Sequence, residues 1–261
     1  MITHEEFIKK YNLFKNFNYH QENGWLRILY LQDWGGKIIF EELPSKIEFT
    51  EKCKFNISIE KIKKIPPDVV FNNKGNVDIL HAEEISENVV FNNDGSLLLG
   101  DLPFYKDYDL EKFIKLKKIH PSVKFTNNGY VFFSCIVYKI PSGIVFNNKG
   151  DLYLGELKKV HSSVKFINDR FIYFYYGTNK IPKGIIFNNR GGVNVSNVKK
   201  ISENVIFNNG GHVILNRNIK VVFSKGVKFN NKGDIINVPI YVPKFLDPKK
   251  YLNKMIEQLY K

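Results

Sequence analysis

The sequence predicts a mainly β fold. It is a parallel β-solenoid with two short strands per rung, a capping helix at each end and one short helical insertion. Three observations predict it. A phenylalanine recurs at Phe49, Phe71, Phe91, Phe125, Phe146, Phe166, Phe187, Phe207 and Phe229, with gaps of 20 to 22 residues and a single gap of 34. A fixed period of that length is the signature of stacked units that each bury one face on a neighbour. Around each phenylalanine the same letters return, as in Ile181-Pro182-Lys183-Gly184-Ile185-Ile186-Phe187-Asn188-Asn189-Arg190-Gly191-Gly192-Val193-Asn194-Val195. Finally, the pattern changes to helical spacing at both ends of the chain.

Residues 3 to 17 read as a helix. Thr3 with Glu6 three residues on is the spacing of a capping box, and Phe7, Tyr11 and Phe14 fall on one face. From Trp25 the apolar residues alternate (Leu26, Ile28, Tyr30), which is strand periodicity. Each repeat then has a corner (Ile-Pro, Ile-Ser or Val-His), a short strand ending on the phenylalanine, an Asn-Asn-x-Gly turn and a second strand such as Leu152-Tyr153-Leu154. Gly75, Gly95, Gly129, Gly150, Gly191, Gly211 and Gly233 stand four places after the phenylalanine, where a positive φ would explain them. Cys53 and Arg170 hold that place in two rungs, whose turns are expected to differ. Asparagines at one place in successive rungs are spaced to bond up and down the array. Strand alternation turns Leu152 and Leu154 inward and Tyr153 outward, and the phenylalanines stack inside.

The gap of 34 contains an insertion, Pro103 to Leu116, in which Asp107 or Asp109 is placed to cap a short helix carrying Leu110, Phe113 and Ile114. Insertions leave a solenoid at one edge and often carry function; the competing reading is a packed decoration. The array closes near Pro239 and Pro243, residues that suit a terminal edge. Asp247-Pro248 then starts a helix with Leu252, Met255, Ile256 and Leu259 on one stripe. The expected organisation is a helical cap over 1–24, the solenoid over 25–243 with its insertion at 103–116, and a second helical cap over 244–261.

The formal charge is +13. A basic field attracts nucleic acid. The lysines, however, are scattered along the sequence rather than massed in one run, which favours a solubilising role. Cys53 and Cys135 make neither a metal spacing nor a disulfide framework, which points to a reducing, cytoplasmic compartment. The start of the chain, Met1 to Asn12, is charged and has no apolar run of signal-peptide type. No apolar run approaches the length of a membrane span, so no membrane partner is expected. Oligomeric state is not legible.

The units resemble a shortened leucine-rich repeat. The residues that carry the likeness are Leu152-Tyr153-Leu154, Leu157 and the Val160 corner, with Val193-Asn194-Val195, Val198 and Ile201-Ser202 in the equivalent places. Ile140-Pro141-Ser142-Gly143-Ile144 is similar to the L-P-x-G-L step of compact bacterial and phage repeats. The likeness covers about residues 35 to 238. It implies ligand binding on the exposed middle residues of the second strand and no catalysis. The family's conserved asparagine place is held here by Leu102, Ile136, Leu157 or Val198, and only Asn218 conforms. Two cross-sections therefore stay open, a curved horseshoe and a flattened two-sheet coil.

The outward middle residues of the second strand are Asp78, Leu98, Phe132, Tyr153, Tyr173, Asn194, Ile214 and Ile236, flanked by Tyr130, Phe171 and Tyr175. Together with Phe104, Tyr105 and Tyr108 of the insertion, the aromatic members make a candidate partner-binding strip, since Tyr and Phe concentrate at interfaces. Cross-strand stabilisation of an exposed sheet is the alternative explanation. The histidines are dispersed, and His120 and His161 share one corner place, a structural signature. No catalytic, metal or cofactor motif stands out. The expectation is a non-enzymatic protein-binding scaffold, a phage or mobile-element inhibitor of a host factor being one setting. A basic nucleic-acid-binding solenoid that stacks bases on its aromatic residues is the alternative, and a carbohydrate-binding β-helix the third.

Overall fold

A computed structural model describes residues 2–11, 17–31, 37–100, 115–133, 136–137, 139–155, 160–174, 178–216, 218–219, 221–237 and 248–259. The chain divides into two compact units, Met1–Cys135 and Ile136–Lys261. Each is a stretch of parallel β-solenoid, as the repeat period requires.

In the first unit, the first strands of successive rungs pair in parallel: Trp25–Leu31, Ile47–Phe49, Val69–Phe71, Val90–Phe91 and Lys124–Phe125. The second strands form another sheet through Lys37–Phe40, Asn56–Ile59, Val77–Ile79, Leu97–Leu99 and Val131–Phe133. In the second unit the same two sheets run through Val145–Phe146, Lys165–Phe166, Ile186–Phe187, Ile206–Phe207 and Lys228–Phe229, and through Leu152–Leu154, Ile172–Phe174, Val193–Asn194, Val213–Ile214 and Ile235–Ile236. Each unit also has a third, short sheet at the corner, absent from the sequence reading. It joins Lys64–Ile65, Glu84–Ile85 and Lys118–Ile119 in one unit, and Lys180–Ile181, Lys200–Ile201 and Val222–Phe223 in the other.

The phenylalanines form the core, all of them buried. Phe49, Phe71 and Phe91 stack with ring centroids 5.6 and 5.3 Å apart and planes within 6°. Phe187, Phe207 and Phe229 repeat this at 5.1 and 5.0 Å. Parallel strands lie about 4.8 Å apart, so in-register rings meet at a favourable aromatic separation. This is why one large flat residue suits every rung.

The two asparagines of the turn do different work. The first lies at the surface, exposed or half-buried, and makes the ladder: Asn92 Nδ2 donates to Asn72 Oδ1 at 2.9 Å, and Asn230 Nδ2 to Asn208 Oδ1 at 3.0 Å. The second is buried and folds the turn on itself. Asn189 Nδ2, for example, donates to the carbonyls of Gly192 at 2.9 Å and Arg170 at 3.2 Å. The Oδ1 atoms of these buried asparagines, from Asn73 to Asn231, have no donor among the described residues. Each carries a desolvation cost that the Nδ2 bonds must outweigh.

The turn glycines correct the expectation of positive φ. Gly75, Gly95, Gly129, Gly191, Gly211 and Gly233 all have ordinary φ values. What excludes a side chain is the rung beneath: a Cβ at Gly95 would lie 2.5 Å from the backbone of Gly75, and one at Gly233 2.5 Å from that of Gly211. Positive φ belongs to the corner instead, at Lys46, Asp68, Asn88, Gly143, Gly184, Asn204 and Gly226. Two corners use another device. Nδ1 of His120 accepts from the Ser122 N–H at 3.3 Å, and Nδ1 of His161 from the Ser163 N–H at 3.2 Å. Of the two atypical turns, that of Cys53 differs, being closed by a bond from its N–H to the Thr50 carbonyl at 2.9 Å. That of Arg170 does not, because Asn168 bonds the Arg170 carbonyl as its counterparts bond glycine.

The ends are capped, with one correction. The capping box of Thr3 and Glu6 forms, but the helix is His4–Lys10 rather than 3–17. Phe17–Glu22 is a strand, antiparallel to Trp25–Leu31. Asn23 and Gly24, both at positive φ, make the hairpin turn between them, and that Asn-Gly pair is a strong hairpin signal the periodic reading passed over. Phe7 of the helix packs on Phe40 at 5.4 Å. At the other end the helix Pro248–Leu259 buries Leu252 and Ile256. Its Asn253 accepts from the Phe229 N–H at 2.9 Å and donates to the Phe229 carbonyl at 3.1 Å. One side-chain amide thereby replaces the missing next strand and blunts the open edge. The expected cap at Asp247 and the prolines at 239 and 243 lie outside the described residues.

Candidate functional site

The second-strand sheet presents the aromatic residues on its outer face because inward places are taken by residues such as Leu152, Leu154, Ile172 and Phe174. In the second unit Tyr153 and Tyr173 are in register and stack at 4.8 Å with planes 8° apart. Phe171 joins Tyr173 at 5.5 Å, and all three are half-buried. Asp151 holds the cluster at one edge. It accepts from the Phe171 N–H at 3.0 Å and from the Tyr153 hydroxyl at 3.4 Å. Burial pushes the Tyr173 hydroxyl pKa up, and the negative charge of Asp151 adds to it. The row continues through Asn194, Ile214 and Ile236.

In the first unit the equivalent row is Ser58, Asp78, Leu98 and Phe132. Leu98 is only 9% exposed, so it is largely covered where the alternation predicts an open position. Phe132 is half-buried and Tyr130 is 47% exposed. Thus Tyr153, Tyr173 and Phe171 come together, and Leu98 lies beside Phe132. Tyr175, and Phe104, Tyr105 and Tyr108 of the insertion, lie outside the described residues.

A second feature is an asymmetry of charge between the two units. Met1–Cys135 contains 18 Lys and Arg against 19 Asp and Glu, a net −1. Ile136–Lys261 contains 21 against 7, a net +14. The net positive charge of the chain therefore resides in one unit. The corner sheets show how. In the first unit the outward corner residues alternate in sign, Lys64, Glu84, Lys118, with Lys64 3.5 Å from Glu84. One place earlier Lys117 pairs with Glu83. In the second unit the same places hold Lys180 directly over Lys200, with Lys199 beside them, and Lys139 precedes the Ile140 corner. All four lysines are exposed. Like charges stacked in register repel, though exposure and salt weaken the effect, so nothing in the packing of the rung calls for such a row.

Among the described residues no helix is long and apolar enough to cross a membrane. No protein-family model, curated protein or solved structure matches the chain.

Proposed function

We propose that the chain is a non-catalytic scaffold that binds another protein through the aromatic row of its second-strand sheet. The observation that carries this is the cluster of Tyr153, Tyr173 and Phe171, half-exposed on a regular strand face. Large, stiff aromatic side chains provide contact area at low entropic cost, and the sheet holds them without a loop to order. The units are read as compact repeats of leucine-rich type working in the cytoplasm, with blockade of a host factor by a phage or mobile-element protein as the setting. The paired rings leave no room for a base or a sugar between Tyr153 and Tyr173, which favours a protein surface lying across the row.

The test uses the tagged full chain to capture a partner, followed by titration of the purified partner against wild type and a Tyr153→Ala/Phe171→Ala/Tyr173→Ala variant. At least a tenfold weaker complex is expected, with unchanged circular dichroism. Equal affinity in a folded variant would overturn the proposal.

A further inference from the structure

We infer that the lysine-bearing corner of Ile136–Lys261 is a binding surface for the sugar–phosphate backbone of nucleic acid. It is separate from the aromatic row: the two occupy different sheets of the same rungs, and the inference stands whether or not the aromatic row binds a protein.

Three observations carry it. The first is segregation, since one unit holds a net +14 and the other a net −1 on the same repeat. The second is position. The residue before the buried corner residue faces solvent in both units, yet Lys64, Glu84 and Lys118 alternate in one, while in the other Lys139, Lys180 and Lys200 are all cationic and the uncharged Val222 follows Lys200. The third is the absence of internal partners. Among the described residues no carboxylate lies within ion-pair distance of Lys139, Lys180, Lys199 or Lys200, whereas Lys64 and Lys117 have theirs. Around the corner turn Lys183 and Lys225 extend the exposed cationic surface, with Glu203 as the acidic residue at that turn.

A row of like charges on a rigid ladder is relieved by a polyanion, which gains by releasing its counterions. The residue type selects among polyanions. Lysine is depleted at the centre of protein–protein interfaces, but as a compact point cation it serves phosphates well. Among the described residues the row has no planar arginine fork and no aromatic side chain, so it reads charge rather than bases. Binding independent of sequence is therefore expected.

The experiment measures fluorescence anisotropy of two fluorescein-labelled probes, a 20-nucleotide oligo-dT and a 20-base-pair duplex, with the full chain. At 50 mM salt the wild type should bind at least one probe. If four phosphates are neutralised, affinity for the duplex should fall about 100-fold by 200 mM. A Lys139→Gln/Lys180→Gln/Lys199→Gln/Lys200→Gln variant should bind at least tenfold more weakly at 50 mM and show a shallower salt slope by about three to four. The control is Lys63→Gln/Lys64→Gln/Lys117→Gln/Lys118→Gln, which removes the same net charge from the other unit and should stay within twofold of wild type. Arginine at the four sites of the first variant should restore binding. The inference is overturned if neither probe binds at 50 mM, if the control loses as much as the variant, or if polyglutamate competes as well as unlabelled oligonucleotide, which would assign the row to an acidic protein.

Discussion

The two corner sheets are the same structure with different charge patterns. Lys64, Glu84 and Lys118 in one unit, and Lys180 and Lys200 in the other, occupy the same place in the repeat, pair in the same parallel register and precede the same buried isoleucine. The backbone does not distinguish them. What holds the rung is inside, in the phenylalanine, the corner isoleucine and the buried asparagine. The exposed letter before the isoleucine is free, and in one unit it alternates in sign while in the other its charged members are all lysine. A repeat protein separates its two tasks in this way: stability is set by letters that recur, and recognition by letters at fixed places that do not.

The largest effects should test what the units share. Phe71→Ala and Phe187→Ala each open a cavity in a fully buried ring stack. Each should cost about 3–5 kcal/mol in urea unfolding. A loss in one unit much smaller than in the other would show that the cores are not equivalent.

A middle-sized effect should distinguish them. Cys53 stands in the turn-glycine place of the first unit, buried, and desolvation pushes its thiol up to about 12. The thiol is an acid whose folded pKa is raised, so the neutral form is favoured in the fold. That contribution is whole below pH 9 and is lost as pH rises from 9 towards 12. By pH 10 it amounts to about 1.4 kcal/mol. Wild-type unfolding followed from pH 8 to pH 10 should show this loss, and Cys53→Ala should abolish it. Native Cys53 should also resist alkylation at pH 8, where the unfolded chain reacts. Rapid labelling of the native protein would contradict the assigned burial.

The smallest effects test the corners themselves. Glu84→Lys places three lysines in the first unit's column and should lower the melting temperature slightly. Lys200→Glu introduces an alternation into the second and should raise it slightly. Both shifts should vanish in 1 M salt, because the groups are exposed and screened. Shifts that persist at high salt would mean that packing, not charge, separates the corners.

Much of this fold was legible because the informative residues recur. A phenylalanine at intervals of 20 to 22 residues specifies a stacked core whatever the turn geometry, and the alternation in Leu152-Tyr153-Leu154 assigns its faces correctly. Other features were not legible, for physical reasons. Gly95 is required by the approach of Gly75 from the rung beneath, and only stacking reveals a neighbour 20 residues away. The apolar spacing through Phe14 suggests a longer first helix, but the Asn23-Gly24 turn returns Phe17–Glu22 as a strand on Trp25–Leu31. Leu98 alternates outward by pattern and is nonetheless covered. The lysines look scattered because each rung contributes one or two and the next follows about 20 residues later.

By itself, then, the sequence determined the period, the inward and outward faces, the buried phenylalanine stack and the helices that end the array, because each is set by local pattern repeated many times. Tertiary structure alone decided which residues become neighbours between rungs. It set Lys180 over Lys200, Tyr153 against Tyr173, Asn253 on the edge of Phe229 and one glycine beneath the next. These contacts arise from register, a relation between rungs that no single stretch of chain contains.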